Sequence, residues 1–150
     1  MYPILAIDYG EKNFGLAISD SKGIIASPLE IVSITKNRDI HTVINEIIQI
    51  AKENKVKRIL VGKPQSFTER QKKTEEKIEN FIKLLRKATD IEILTWDESF
   101  STINAQNMLT SLGQNSRSSK GKIDKIAATV FLQEFLNSKS KKDEGRKKRI

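Results

Sequence analysis

The chain has 150 residues, 37% of them hydrophobic, no cysteine, and a formal charge of +8 at neutral pH. This length fits one compact domain burying roughly two thirds of its unfolded surface, and the absence of cysteine excludes disulfide frameworks, thiolate zinc sites and cysteine nucleophiles. MYPILAIDYG lacks the basic n-region of an export signal, and no later stretch approaches the ~20 apolar residues of a membrane span, so a soluble, cytoplasmic protein without a membrane partner is expected.

The first elements are read from Ile4 to Asp20, ILAIDYGEKNFGLAISD. Leu5, Ala6 and Ile7 form an apolar strand that Asp8 closes. An unpaired carboxylate is costly there, so it needs a stabilising partner. Gly10 and Gly15 suit a hairpin that leaves backbone exposed near the acid. Ser21-Lys22-Gly23 is a turn, and Ile24 to Ile34 alternates as a third strand, placed at a sheet edge by Pro28, which cannot donate to a ladder.

From Asp39, an N-cap, the spacing becomes helical through Ile40, Val43, Ile44, Ile47, Ile48 and Ala51. His41, the only histidine, has no second histidine to share a metal and is read as a surface residue. Ile59 to Gly62 is a short strand entered through a helix, hence parallel. A charged helix follows from Thr68 to Lys87, with Ile78, Phe81, Ile82 and Leu85 as its apolar stripe. Ile91 to Trp96 is another strand, ending in Asp97-Glu98. Ser101 or Thr102 caps a helix running to Gly113, Gln114 to Gly121 reads as a mobile basic loop, and Lys122 to Leu136 is the last helix.

The order β-β-β-α-β-α-β-α-α predicts an α/β fold with a five-stranded mixed sheet, three antiparallel strands then two parallel, flanked by helices. It occupies residues 1–138. Residues 139–150 carry seven Lys or Arg against Asp143 and Glu144, a net +5 that leaves +3 for the rest of the chain. Such a tail is too polar to fold alone, and also suits a non-specific arm for nucleic-acid phosphates.

Ligands in such sheets bind beyond the carboxyl ends of the parallel strands, here the ends at Asp8, Gly62 and Glu98. Helical pitch turns Asp124 to the inward side of the last helix, near Phe131. Taken singly, Asp124 is also an ordinary first-turn acid and Glu98 an ordinary strand-end glutamate. Taken together, the three acids Asp8, Glu98 and Asp124 would repel one another or recruit cations. Hard oxygen ligands without histidine or cysteine select Mg²⁺ or Mn²⁺, and two such ions about 4 Å apart support displacement at phosphorus. That is nuclease chemistry.

The blocks AIDYGEKNFGLAISD, ILVGKP, TWDESFST and IDKIAATVFLQEFL resemble those of the YqgF family, also called RuvX, of Holliday-junction-resolvase-like nucleases. The resemblance spans residues 4 to 136. It implies a ribonuclease H-like fold, a role in maturing the precursor of 16S ribosomal RNA with ribosomal particles as associated partners, and metal-dependent phosphodiester hydrolysis with Asp8, Glu98 and Asp124 as the metal-binding acids. The chain departs from the family at Asn13 and Ser99, where Arg is usual, at Lys63, where a hydrophobic residue is usual, and in the segment QSFTER. Junction resolvases are expected to carry another acid where this chain has Ala127.

Gly10 and Gly62 would admit a nucleic-acid backbone, although turn geometry alone also explains each. Lys12, Lys63, Arg117, Lys120 and Lys122 are candidate phosphate contacts, with plain solvated charge as the competing explanation. Three alternatives stay open: a junction-resolving DNA nuclease, a catalytically weak nucleic-acid-binding module of ribosome biogenesis, and a nucleotide-binding protein of the actin and sugar-kinase type. The last shares only the hairpin and needs two lobes.

Overall fold

A computed structural model describes residues 2–63, 69–97 and 126–139, with the side chains of 69–71 and 97 outside the description. Strands β1 (Ile4–Asp8) and β2 (Asn13–Ser19) form the expected antiparallel hairpin, in register from Leu5 opposite Ile18 to Asp8 opposite Gly15. β3 (Ala26–Ser33) pairs antiparallel with β2 across an irregularity between Leu16 and Ala17. Helix α1 (Ile40–Glu53) leads to β4 (Arg58–Lys63), parallel to β1, and α2 (Glu69–Ala88) leads to β5 (Glu92–Asp97), parallel to β4. The sheet order is β3-β2-β1-β4-β5. Residues 126–139 are helical and are called α3.

Local chemistry accounts for the boundaries. The Asp39 carboxylate accepts from the Thr42 amide at 2.9 Å, satisfying one of the orphan donors of the first turn of α1. β3 begins later than its apolar pattern suggests because Asp20 Oδ1 accepts from the amides of Ile24 and Ile25, at 2.7 and 3.1 Å. Among the described residues, those two isoleucines are the exposed large hydrophobics, at 60% and 59%. Gly23 in the same turn has φ of 71°, and a Cβ there would run into the Tyr2 ring, so both backbone and space require glycine.

Period-2 alternation sends the strands' side chains to two cores. Leu5, Ile7, Phe14, Leu16, Ile59, Val61 and Ile93 pack beneath α1 and α2. Ile4, Ala6, Ala17 and Leu60 pack beneath Ala128, Phe131, Leu132, Phe135 and Leu136 of α3. Gln133 fastens α3 to the start of β3, accepting from the Ala26 amide and donating to the Ile24 carbonyl, both at 2.9 Å. The expected helix from Ser101 or Thr102 and the loop 114–121 lie outside the described residues. Among the described residues, no helix is long and apolar enough to cross a membrane.

Candidate active site

Because β1, β4 and β5 are parallel, their carboxyl ends share one edge of the sheet. Asp8 ends β1 there, half-buried. Its register partners are Gly15 on β2 and Gly62 on β4, and Gly62 is in turn opposite Trp96 on β5. Alternation from Ile4 and Ala6 puts Asp8 on the α3 face. Both flanking positions are glycine, so no cross-strand side chain stands directly beside the carboxylate. The result is an acid at the mouth of a packed sheet with a glycine on either side; both glycines are buried, so the backbone exposure expected beside the acid is not found at Gly15, which packing in the sheet covers.

Trp96 completes this row and was not singled out from the sequence as a site residue. Its ring meets Phe135 of α3 edge-on, with centroids 5.6 Å apart, and its indole Nε1 is buried without a hydrogen-bond partner among the described residues. The signal that identifies it is its register with Gly62, which requires the strand pairing.

The turn after Asp8 is built by backbone constraints. A Cβ at Gly10 would collide with the carbonyl oxygen of Asn13, so turn geometry is sufficient reason for that glycine. Lys12 is exposed and its carbonyl accepts from the Ile34 amide at 2.7 Å. Asn13, where the family resemblance predicts Arg, accepts from the Ser33 hydroxyl at 2.6 Å. Glu11 pairs with Lys77 of α2 at 2.9 Å, and this bond raises the lysine's pKa. Tyr9 turns to the opposite core, 5.3 Å from Phe14 and 5.4 Å from Phe81 between ring centroids. Burial raises its pKa, against a lowering by nearby Lys77.

Lys63 also faces away from Asp8. Its ammonium lies 3.7 Å from carboxylate oxygens of both Glu75 and Glu79 on α2. Thus Asp8 and Gly62 are brought together, Gly10 and Lys12 occupy the adjoining turn, and Lys63 belongs to the α2 side. Glu98, Arg117, Lys120, Lys122 and Asp124 lie outside the described residues. Among the described residues, no group of three His, Asp or Glu side chains converges to hold a metal.

The family model for RuvX, described as Holliday junction resolvase, matches residues 2–138. The chain belongs to the RuvX family. A relative from Fusobacterium nucleatum named "Putative pre-16S rRNA nuclease" is 39% identical over 137 residues, covering 90% of this chain and 96% of its own length. A relative of the same name from Desulforamulus reducens is 37% identical over 138 residues, covering 92% and 98%. Among solved structures, Thermus thermophilus RuvC in complex with a Holliday junction aligns with a TM-score of 0.57 at 14% identity, over 93% of this chain and 96% of that one. The Fowlpox virus resolvase in complex with its junction DNA aligns at 0.55 and 16%, over 91% and 98%. This RuvX chain therefore has the ribonuclease H-like fold of these resolvases.

Proposed function

We propose that this RuvX-family chain is a divalent-metal-dependent nuclease whose substrate is the precursor of 16S ribosomal RNA, free or on ribosomal particles in the cytoplasm. The single observation that carries the reading is Asp8 at the carboxyl edge of the parallel strands, flanked by Gly15 and Gly62. A sheet offers an anionic polymer little reason to approach a carboxylate unless a cation lies between them.

The donors fit a hard cation. Asp8 supplies oxygen, the chain has no cysteine, and its sole histidine, His41, is an exposed residue of the first turn of α1. Asp8, Glu98 and Asp124 would hold Mg²⁺ or Mn²⁺, as two ions. Glu98 follows Asp97, the last residue of β5, in the chain, and Asp124 precedes the described start of α3 by two residues. Gln133 of α3 is held to the start of β3 at Ala26, and Phe135 lies between the Arg58 guanidinium and the Trp96 ring.

When bound, such ions stabilise charge on the attacking and leaving oxygens of a displacement at phosphorus. The chain's own contributions are to hold Asp8 on a rigid strand and to keep cross-strand side chains away from it by placing buried glycines, Gly15 and Gly62, at its register partners. It also walls the β5 side with the Trp96 ring. Lys12, Arg117, Lys120 and Lys122 provide positive charge for the flanking phosphates.

The test compares wild type with Asp8→Asn on precursor 16S rRNA, single-stranded RNA and four-way DNA junctions, with Mg²⁺ and with a chelator. Cleavage of the rRNA precursor that is lost in the variant and in chelator is expected, with circular dichroism unchanged. Equal cleavage by both proteins would sink the assignment. Because the family model is described as a junction resolvase, cutting confined to the junction would replace the RNA substrate with DNA.

A further inference from the structure

On the sheet face opposite Asp8, a cleft of about 260 Å³ opens between α2 and the ends of β4 and β5, lined by Lys63, Glu79, Ile82, Lys83, Arg86 and Thr95. Three cations face it against one carboxylate. Lys63 is partly neutralised by Glu75 and Glu79, but Lys83 and Arg86 are exposed and make no ion pair among the described residues. They are three residues apart on α2, where like charges are mutually destabilising. The exposed Thr95 hydroxyl on β5 adds a hydrogen-bond donor across the gap. Two unpaired cations, one of them a forked guanidinium, and a hydroxyl around a concave space match the requirements of a phosphate group.

The cleft adjoins the site already described. Lys63 directly follows Gly62, the register partner of Asp8, and adjacent strands lie about 4.8 Å apart. A polynucleotide passing Asp8 can therefore cross the sheet edge at the end of β4, past the partly exposed Lys63, and continue along α2. We propose that the Lys83–Arg86–Thr95 cleft is a phosphodiester-binding subsite that holds the nucleic-acid strand beyond the cleavage point. This inference rests on the nuclease reading given above. The subsite sets affinity and register for long substrates and takes no part in the bond-breaking step.

The experiment measures binding of fluorescently labelled precursor rRNA fragments to the full chain by anisotropy across a salt series, in chelator so that nothing is cleaved. Lys83→Ala/Arg86→Ala should weaken binding about tenfold at low salt and reduce the slope of log affinity against log salt by about 1.4, two phosphates at ~0.7 each for single strands. The control Lys22→Ala/Lys36→Ala removes the same charge from exposed positions outside the cleft. In Mg²⁺, KM for long RNA should rise in the cleft variant while kcat stays unchanged. Equal weakening in the control, or wild-type affinity in the cleft variant, overturns the subsite while leaving the nuclease reading intact. A wild-type protein with no affinity for any nucleic acid overturns both. Competition by millimolar inorganic phosphate that is lost only in the cleft variant supports the subsite.

Discussion

At Asp8 the neighbours are defined by what they lack. Gly15 and Gly62 put no side chain beside the carboxylate, so a methyl at Gly62 intrudes directly beside it. Gly62→Ala should lower cleavage about 10–100-fold, the cost of misplacing reactants by a fraction of an ångström to an ångström, and by more than any loss in urea midpoint accounts for. Gly10→Ala should behave oppositely. Its Cβ meets the Asn13 carbonyl, so a stability loss of about 1–3 kcal/mol is expected in urea unfolding. Asp20 and Asp39 titrate below the ordinary carboxylate value of 3.8, because backbone amides of Ile24 and Ile25, and of Thr42, donate to them. Their folded pKa values are depressed, so their stabilisation is complete above 3.8 and fades as pH falls through the lowered values. Asp20→Ala and Asp39→Ala should each lower the thermal midpoint at pH 6, and the deficit should shrink towards pH 2.

Among elements, those with strong local chemistry were legible in the sequence. Asp39 caps α1 as expected, and Pro28 marked β3 as an edge strand, which it is. The Ile4–Asp20 hairpin, the parallel strands and the apolar stripe of α2 also follow their patterns. What could not be read was the relation between strands. The direction of Lys63 depends on the register that sets Gly62 opposite Asp8, and on which helix covers which face. Neither is a local property. Trp96 was overlooked for the same reason. Of the three proposed metal-binding acids, only Asp8 lies among the described residues, and its companions were legible through family resemblance and strand-end position alone. Gln133 is likewise a tertiary feature, bridging 107 residues to Ala26. Gln133→Ala removes two partners from backbone groups, one of them part-buried. It should cost about 1–3 kcal/mol in chemical denaturation.

For the whole molecule, charge is unevenly distributed along the chain. Residues 139–150 carry +5 of the total +8, leaving +3 on residues 1–138. We propose that this tail acts as a sequence-independent arm alongside the nuclease domain. Deleting residues 139–150 should flatten the salt dependence of RNA binding, by about 0.7 for every phosphate the arm had neutralised, without changing the cleavage position. A truncated protein with the wild-type salt slope would remove the tail from any binding role.

The sheet is sandwiched asymmetrically in time as well as in space. The side beneath α1 and α2 receives its cover from segments that directly connect the strands, whereas Ile4, Ala6, Ala17 and Leu60 await α3, near the end of the chain. During synthesis Ile4, Ala6 and Ala17 emerge among the first, Leu60 follows before the midpoint of the chain, and all four are covered among the last. Until then the nascent protein presents a sticky apolar surface of the kind chaperones engage. A chain ending at residue 125 should therefore express as aggregate, and supplying residues 126–150 in trans is a direct way to ask whether that surface can still be closed.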